Sequence, residues 1–341
     1  MALQASGQIK YSEIIAEFGT PNSGGLGEFR LSENVGTLTN LPLDTGVPQS
    51  GQIKFSDFYS KRLNQVVDLY SIGNSTTRQN AKDRWNNGNV HIVGSTKTGK
   101  TQPPDTVEDR VIINVNATIA SAKGTQTHCA LRTGNWDTNT TLEIEIGTSG
   151  KLYGSGGDGG SGGSANETAG TNGQTGSSAL GIQYPCTVNN LGVIQSGYGG
   201  GGGGGGNTRT TGGGKKSGAT TNGSSGGGGG GGAGLPAGAG GGVQTPLAVG
   251  GGSAGSGGAA GSLSGQSPGG LGGSEAGNGG NSSPVNNSAS KADDGASPSG
   301  AAAGGTGGNN GFAIITNQGS APSVTGGGSI TGRTITSTNP T

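Results

Sequence analysis

Apolar and polar residues alternate over short stretches in the first half of the chain. The alternation is clearest over residues 111–119 and 142–146, where every second side chain is apolar. A period of two predicts strands with one buried and one wet face. The predicted strands are Gln65–Ser71, Asn89–Val93, Arg110–Ala120, Ala130–Thr133 and Thr141–Ile146. The turn-rich gaps between them favour an antiparallel sandwich or a short solenoid-like sheet, with Trp85 and Trp136 as core or edge anchors.

A ten-residue repeat lies near the beginning of the chain. Residues 6–15 match residues 50–59, and in each copy an alternating apolar piece leads to a serine followed by an acid. We expect Ser12 and Ser56 to be the N-caps of short helices over Glu13–Phe18 and Asp57–Lys61, with the acids in the positive first turn. Few apolar residues lie between the copies, so this region either docks on another protein or forms a small domain stabilised by the repeat. The predicted docking residues are Ile9, Tyr11, Ile14, Ile53, Phe55, Phe58 and Tyr59.

Glycine replaces the apolar pattern after Tyr153. The chain has 81 glycines in 341 residues, and the longest runs are Gly154–Gly163, Gly199–Gly206 and Gly226–Gly242. One interpretation is a flexible linker, because such sequence has no apolar surface to offset its chain entropy. The other is a bundle of polyglycine II helices, with 3 residues per turn and about 3.1 Å rise, whose outward N–H and C=O groups bond to neighbouring helices. Without Cβ atoms, such backbones can pack side by side.

Three features of the glycine segments favour the bundle. Ser155, Asp158, Ser161 and Ser164 recur at every third position, so that they share one edge of a helix with three residues per turn. The segments are similar in length, and polar segments long enough to reverse the chain separate them. Ordering costs about 1–2 kcal/mol per residue against about 1 kcal/mol per hydrogen bond. A single helix would therefore be disordered, and only a stack of several helices would be stable.

The remaining apolar residues complete a four-part organisation. Residues 178–197 predict a strand, a turn and a second strand, paired with Thr141–Tyr153 and closing one end of the bundle. The predicted fold is mainly β with a polyglycine II bundle. Its parts are a docking region with the repeats (1–62), a sandwich-like β domain that acts as a spacer (63–153), the bundle with the inserted strand pair (154–311) and a C-terminal strand or tail (312–341). Alternate loops of the bundle are expected at opposite ends.

Composition and charge exclude several classes of function. The formal net charge is zero, which argues against nucleic acid or an anionic membrane as the main partner. No apolar run reaches the roughly 18 residues of a membrane span, and the first residues lack the features of a signal peptide, so we expect folding in a cytoplasm. Cys129 and Cys186 are expected to be buried thiols. His91 and His128 are isolated, so we expect no metal, no cofactor and no enzymatic activity.

One motif resembles a nucleotide site. Gly94–Thr101 fits the phosphate-binding loop G-x-x-x-x-G-K-[ST] after an apolar strand. That loop delivers its phosphate to a helix N-terminus. Here Pro103 and Pro104 follow at once, and Pro104 disfavours the helical conformation of the residue before it. We interpret the motif as a β-hairpin loop.

The second half also resembles a known family. The sequences Leu-Arg-Thr-Gly-Asn-Trp (131–136), Leu-Glu-Ile-Glu-Ile-Gly-Thr-Ser-Gly-Lys-Leu-Tyr-Gly-Ser-Gly-Gly-Asp-Gly-Gly (142–160) and Val-Asn-Asn-Leu-Gly-Val-Ile-Gln-Ser-Gly (188–197), followed by polyglycine, are similar to the glycine-rich tail-fibre adhesins of tailed bacteriophages. The resemblance implies a polyglycine II sandwich at a fibre tip, with variable loops that touch the host surface. The N-terminal repeat resembles segments of virion structural proteins of marine phages, which implies docking on other virion proteins.

The resemblance and the loop composition together predict a function and a site. Unlike other members of that family, this chain has only one aromatic residue, Tyr198, between Gly192 and Gly311. The loops are rich in Thr, Asn and Ser, which favours a polar glycan, or another outer-membrane component, as receptor. The candidate loops are Asn207–Ser225, Val243–Val249 and Asn281–Ser299. The candidate binding residues are Asn207, Arg209, Lys215, Lys216, Asn222, Gln244, Thr245, Asn286, Asn287, Lys291, Asp293 and Asp294.

Three hypotheses follow. The leading one is an adhesin of the virion, assembled in the host cytoplasm, for which several copies or a homo-oligomer would supply avidity. The second is a structural fibre or capsid-decoration protein with no receptor. The third is an ice-binding protein, but the irregular charged loops argue against the flat face that ice binding needs.

Overall fold

The computed structural model describes residues 3–69, 78–94, 110–163, 169–203, 207–211, 220–224, 228–242 and 305–341, and the structural statements below concern these residues. The phosphate-loop motif after Gly94 and the glycine segments within 243–304 lie outside them. No helix in the described ranges is long and apolar enough to cross a membrane.

The N-terminal region folds around an aromatic core of its own. Its elements are helix α1 (Tyr11–Phe18), a 3-10 turn (Leu26–Phe29), the antiparallel hairpin of β1 (Ser32–Val35) and β2 (Leu38–Pro42), and a second 3-10 turn (Phe55–Phe58). Phe18, Phe29 and Phe58 are fully buried, with ring centroids 5.5–6.1 Å apart. Ile92 from the neighbouring sheet joins this cluster, so the region packs on the β domain.

The helical segment of each repeat copy begins two residues earlier than the sequence predicts. The helical turns start at Tyr11 and Phe55, so Ser12 and Ser56 lie inside them and the prediction that these serines are N-caps is wrong. The acid performs the capping instead: Glu13 accepts the Lys10 N–H at 2.6 Å, and Asp57 accepts the Lys54 N–H at 2.6 Å. A carboxylate at the third helical position satisfies an otherwise unpaired donor. The second copy forms only the 3-10 turn.

Three sheets of mostly parallel strands form the sides of a solenoid. In spatial order, sheet 1 contains β5 (Val90–Ile92), β3 (Asn64–Asp68), β6 (Arg110–Val115), β9 (Thr141–Ile146), β12 (Cys186–Asn190) and β17 (Ser323–Thr325). Sheet 2 contains β7 (Thr118–Ala120), β10 (Lys151–Tyr153), β13 (Val193–Gln195) and β18 (Ser329–Thr331). Sheet 3 contains β4 (Gln79–Asn80), β8 (Cys129–Arg132), β11 (Ser178–Ile182), β16 (Phe312–Thr316) and β19 (Arg333–Ile335). From β6 onward, the chain visits sheet 1, sheet 2 and sheet 3 in that order in each turn.

All pairs in these sheets are parallel except β3 with β5. The antiparallel-sandwich alternative is therefore wrong, and the solenoid alternative describes the structure. The predicted pairing of residues 178–197 with Thr141–Tyr153 is found for β12 on β9 and β13 on β10. β11 instead joins sheet 3, so this stretch supplies three strands to three different sheets.

Apolar side chains stack in register inside the solenoid. Val67, Ile113, Ile144, Val188 and Val324 form one column across sheet 1. The first four of these residues are fully buried, whereas Val324 is 36% exposed. Sheet 2 repeats this pattern with Ile119, Leu152, Ile194 and Ile330, of which Ile330 is 41% exposed. The core is therefore open at the turn formed by β17, β18 and β19.

The opposite end of the solenoid carries a short helix and two tryptophans. Helix α2 (Ala81–Asn86) follows β4, and the Asn80 side chain accepts the Lys82 N–H at 3.1 Å as an N-cap. The rings of Trp85 and Trp136 meet edge to face at 6.1 Å, and Lys82 Nζ lies 4.5 and 4.7 Å from their centroids. Both tryptophans are anchors of the core, as the sequence predicts.

Candidate functional site

Two excursions leave the solenoid between sheet 2 and sheet 3, and the described parts of both are rich in glycine. We name six segments in chain order: g1 (154–163), g2 (171–177), g3 (197–203), g4 (228–234), g5 (236–242) and g6 (305–311). Segment g1 continues β10 and g2 leads into β11, while g3 continues β13 and g6 leads into β16. These six segments pack together, and we call them the bundle.

Main-chain hydrogen bonds join the segments with a period of three residues. In g1, the N–H groups of Gly156, Gly159 and Gly162 donate to g5, at N···O distances of 2.8–3.1 Å. Those of Gly157 and Gly160 donate to g3 at 2.8 Å. On a third side, carbonyls of g1 accept from g2 at 2.7–2.9 Å. Successive residues thus point to different neighbours, and the interior of the bundle is a lattice of backbone.

Glycine is required in this lattice because the backbones leave no room for a side chain. A Cβ at Gly160 would overlap the carbonyl oxygen of Thr171 and lie 2.8 Å from the nitrogen of Gly203. A Cβ at Gly200 would overlap the oxygen of Asp158. These obstacles are backbone atoms, which cannot move aside as a flexible side chain would. The predicted close packing without Cβ atoms is therefore the observed one.

The direction of each segment follows from the strand that it extends. Segments g1 and g3 run parallel because they continue β10 and β13, which are parallel neighbours in sheet 2. Segments g2 and g6 run parallel because they lead into β11 and β16, neighbours in sheet 3. Segment g2 is antiparallel to g1 and to g3, and g4 is also antiparallel to both. Along the chain, segments that run away from the solenoid therefore alternate with segments that return to it.

The register brings the chain breaks of the bundle to one end. Thr171 donates to Ser161, Gly203 to Thr171 and Gly305 to Gly203, so these ends of g1, g2, g3 and g6 lie together. The bonds of Gly229 to Gly160 and of Gly241 to Gly229 place the start of g4 and the finish of g5 at the same end. This end, which we call the outer end, is the one farther from the strands. The chain leaves and re-enters it for residues 164–168, 204–227 and 243–304.

One prediction about the bundle needs correction. Gly226–Gly242 is not one segment, because the chain reverses at Leu235 and Pro236, where the Leu235 N–H donates to Gly154 O at 3.0 Å. Among the described segments, successive connections do lie at opposite ends, as predicted, but the connection at the inner end is this one short turn. Segment g2 was missed for lack of a glycine run. A glycine at every third position, Gly170, Gly173 and Gly176, is the signal that could have found it.

Polar side chains fix the bundle to the solenoid. Lys123 lies in the connection between β7 and β8, and its Nζ is 2.5 Å from Asp158 Oδ1 in g1. The same oxygen accepts the Ala239 N–H of g5 at 2.6 Å. The hydroxyls of Ser155 and Ser177 lie 2.9 Å apart and are fully buried. The edge predicted for Ser155, Asp158 and Ser161 is the one that accepts the hydrogen bonds of g2.

The candidate binding residues are connected to the outer end. Asn207 and Arg209 lie in β14 (Asn207–Thr211), and Asn222 lies in β15 (Thr220–Ser224). These strands form an antiparallel hairpin in which Arg209 is opposite Asn222. The hairpin joins the outer end through residues 204–206 and 225–227. The remaining candidates lie outside the described residues: Lys215, Lys216, Gln244, Thr245, Asn286, Asn287, Lys291, Asp293 and Asp294. Their role stays a prediction.

The predicted docking residues divide into core and surface. Ile9, Ile14 and Phe58 are buried in the N-terminal region's own core, and Tyr11, Ile53 and Tyr59 are half-buried beside it. Phe55 is 42% exposed, and its ring meets that of Tyr11 at 6.5 Å. The buried residues therefore fit the alternative of a small domain stabilised by the repeat. The prediction of docking on another protein is left with the exposed surface around Phe55.

The thiols of the described residues are buried, and the described His, Cys, Asp and Glu side chains do not cluster. Cys129 and Cys186 are free thiols, as expected, and burial raises the pKa of each to about 12. His91 Nε2 lies 2.9 Å from Glu33 Oε2, which joins the solenoid to the N-terminal hairpin. Within the described ranges, no three residues among His, Cys, Asp and Glu come together as metal ligands.

The described segment ends that flank the longest connections of the chain lie together at one end of the bundle. The sequence model of the family described as phage tail fibre adhesin Gp38 matches residues 80–336, which span the solenoid from β4 and the whole bundle. The chain belongs to this family of tail fibre adhesins and is a virion component. Residues 3–69 lie outside the match.

The chain is similar to the solved adhesin tip complex of gp37 and gp38 from the long tail fibre of bacteriophage S16, with 20% identity over 98% of this chain and 99% of that chain and a TM-score of 0.36. A TM-score this low leaves the family match as the basis of the assignment. No curated protein matches the chain.

Proposed function

We propose that this chain is the receptor-binding adhesin of a phage fibre tip and that the segments leaving the outer end recognise the host surface. The observation that carries the proposal is the convergence on one end of the bundle of the described segment ends that flank residues 164–168, 204–227 and 243–304. A rigid base limits the ordering cost of binding, and loops on a rigid scaffold are the usual place for recognition. The chain acts by binding, without a catalytic step.

The scaffold itself is proposed to be polyglycine II. The three-residue period of the hydrogen bonds and the three bonding directions around g1 support this assignment, because such helices have three residues per turn and no internal hydrogen bonds. The bundle can then accept new loop sequences without repacking, since the described glycines of its interior pack against backbone atoms.

The receptor is proposed to be a polar glycan. The segments 204–227 and 243–304 are rich in Ser, Thr and Asn, with Arg209, Lys215 and Lys291 among their charged residues. Hydroxyl and amide groups orient polar ligands through hydrogen bonds. Single sites of this kind are weak, and several copies per virion would supply avidity.

Replacing the loops tests this function. Residues 243–304 would be exchanged for a flexible Gly-Ser linker of about eight residues, which is long enough to reconnect g5 and g6. We expect the protein to fold and the virions to lose adsorption. The matched control is Leu235→Ser, which changes an exposed residue at the inner turn and should leave adsorption intact. Unchanged adsorption of the loop-replaced virions would contradict the proposal.

The N-terminal region is proposed to attach the adhesin to another virion protein. The solved S16 structure is a complex of gp38 with gp37, and the exposed ring of Phe55 offers an apolar anchor here. Phe55→Glu should lower incorporation into virions, measured by immunoblot of purified particles. Leu191→Glu, at a solenoid residue that is 49% exposed, is the control and should be incorporated normally. Equal incorporation of the two variants would contradict the proposal.

A further inference from the structure

A cleft of about 620 Å³ lies on the solenoid rather than on the bundle. Its walls come from β4 and the residue before it, from α2 with the residues that follow, and from the last residue of β8. β4 is an edge strand of sheet 3 and pairs with β8, so that Asn80 is opposite Arg132. The volume falls in the range of roughly 300–1,000 Å³ typical of small-molecule sites.

The lining of this cleft is strongly basic. Three guanidinium groups, those of Arg78, Arg84 and Arg132, line it together with one carboxylate, that of Asp83. The three arginines are half-buried, whereas Asp83 is exposed. The chain as a whole has no net charge, so this concentration of positive charge is local. Like charges at close range repel, and an anion between them would remove the repulsion.

Arg78 and Arg132 keep donors available for such an anion, whereas Arg84 Nη1 donates to Gln79 Oε1 at 3.5 Å. Arg78 Nη1 donates to the main-chain oxygen of Thr341 at 3.2 Å, which holds one arm of the fork at the border of the cleft. The Arg132 guanidinium group has no hydrogen-bonded or ion-paired partner in the described part of the chain. Asn87, an exposed residue on the same lining, adds an amide that can donate and accept.

We propose that this cleft binds the phosphate group of a phosphorylated sugar. Three guanidinium groups and one carboxylate give the cleft a local charge of about +2. A phosphate carries about −1.5 to −2 charges at neutral pH, so it balances this charge better than a ligand with a single carboxylate would. Guanidinium forks bind phosphate oxygens through paired hydrogen bonds. The rest of the cleft accommodates the sugar ring, whose hydroxyls meet the amide of Asn87. The site lies at the edge of sheet 3, apart from the outer end of the bundle.

Calorimetric titration of the full chain with glucose 6-phosphate tests the proposal. We expect binding that weakens at least tenfold in Arg132→Gln and in Arg84→Gln, two variants on different elements, and that weakens with added salt. Arg333→Gln is the matched control, because it removes the same charge from β19, the opposite edge strand of sheet 3. It should bind like the unaltered protein.

Further ligands separate the phosphate from the sugar. Glucose alone should not bind, inorganic phosphate should bind more weakly than glucose 6-phosphate, and glucuronate should bind more weakly because it carries one charge. No binding of glucose 6-phosphate at millimolar concentration would overturn the proposal. So would equal binding by Arg132→Gln, Arg84→Gln and Arg333→Gln, or binding of glucose or glucuronate as tight as that of glucose 6-phosphate. The loop-replaced protein should retain the binding, which keeps this test separate from adsorption.

Discussion

The solenoid and the bundle are both stacks of backbone, but different atoms hold them together. In the solenoid, columns of buried side chains such as Ile113, Ile144 and Val188 fill the space between three sheets. In the bundle, that space is absent, and main-chain N–H and C=O groups meet neighbouring backbones directly. The solenoid depends on the burial of apolar area, and the bundle on satisfied hydrogen bonds and close contact.

This difference shows how one chain can pass from one kind of order to the other. At Gly154 and Gly197 the strands of sheet 2 continue as g1 and g3 without a turn, and the parallel neighbours remain neighbours. The solenoid thus supplies the register that isolated glycine segments would lack. Because the bundle interior contains few side chains, sequence change is restricted at its glycines and free in its connections. The following substitutions test the two kinds of order against each other.

The largest effect is expected for a methyl group inside the lattice. Gly200→Ala would place a Cβ against the oxygens of Asp158 and Gly157. Overpacking costs about 1–3 kcal/mol and each broken hydrogen bond about 1 kcal/mol, so we expect a loss of about 5 kcal/mol from the free energy of unfolding of the bundle. Differential scanning calorimetry would show the bundle transition at a much lower temperature.

A glycine-to-alanine substitution at the last residue of g5 provides the control. At Gly242 an added Cβ would have only Ser161 Oγ within 4 Å, at 3.9 Å. Gly242→Ala should therefore stay within about 0.5 kcal/mol of the unaltered protein. If Gly200→Ala were tolerated as well as Gly242→Ala, the segments would not be packed backbone to backbone.

A smaller effect is expected when a side chain is removed from the solenoid. Ile144 is fully buried in the column of sheet 1, so Ile144→Ala should cost about 3 kcal/mol through lost burial and a cavity. Val324 lies in the same column at the open end, and Val324→Ala should cost less than about 1 kcal/mol. Chemical unfolding followed by the fluorescence of Trp85 and Trp136, both in the solenoid core, measures both values. Equal losses would mean that the column is not a core.

A substitution at the junction of the solenoid and the bundle is expected to lower the stability less than Ile144→Ala does. Asp158→Asn removes the charge facing Lys123, and because both side chains are about one-third exposed we expect a loss of about 1 kcal/mol or less. The Ala239 amide donates to Asp158 Oδ1. Asn keeps an acceptor oxygen at this position, so Asp158→Ala is the variant that removes this bond, and in it the Ala239 amide should exchange faster with solvent. Asp137→Asn removes a carboxylate that is 52% exposed beside Lys82 and should change neither quantity. Slow exchange of Ala239 in Asp158→Ala would show that this carboxylate does not hold g5.

The two cysteines give the smallest effect at neutral pH. Burial raises the pKa of Cys129 to about 12, above the value of about 8.5 for a free thiol. The folded state therefore holds this proton longer than the unfolded state, and its contribution to stability is complete below about pH 8.5 and lost as the pH rises toward 12. At pH 8, Ellman's reagent should label Cys129 only after unfolding.

The same thiol reports on whether the regions unfold separately. In Gly200→Ala, Cys129 should remain protected while the bundle loses its structure, because β8 belongs to the solenoid. Rapid labelling of Cys129 in folded Gly200→Ala would mean that the solenoid depends on the bundle.

Strand positions in the solenoid were predictable because alternation is a local signal. Thr141–Ile146 is found as predicted, and Gln65–Ser71 and Asn89–Val93 are found over slightly shorter spans as β3 and β5. Arg110–Ala120 divides into β6 and β7, since the chain turns a corner at Asn116 and Ala117. The parallel pairing was not predictable from these patterns. The excursions at 154–177 and 197–311 interrupt the repeat, so no constant period remains in the sequence.

In the bundle, the sequence predicted the kind of packing better than its arrangement. The glycine runs and the spacing of Ser155, Asp158 and Ser161 indicated close backbone packing, which depends only on the absence of Cβ atoms. The directions of the segments depend on the strands at their ends, and the reversal at Leu235 and Pro236 depends on contact with Gly154. Neither is local in sequence. The gathering of connections at the outer end could therefore be seen only in three dimensions.

Residue-resolved hydrogen exchange of the unaltered protein tests the central claim most directly. The amides of Gly157, Gly200 and Gly232 donate to other segments inside the bundle, and Ile144 in the solenoid is the internal standard. We predict that these glycine amides are protected to a degree comparable with that of Ile144. Exchange at the rate of an unstructured peptide at these glycines, with Ile144 still protected, would contradict the account, because the loops would then have no rigid base.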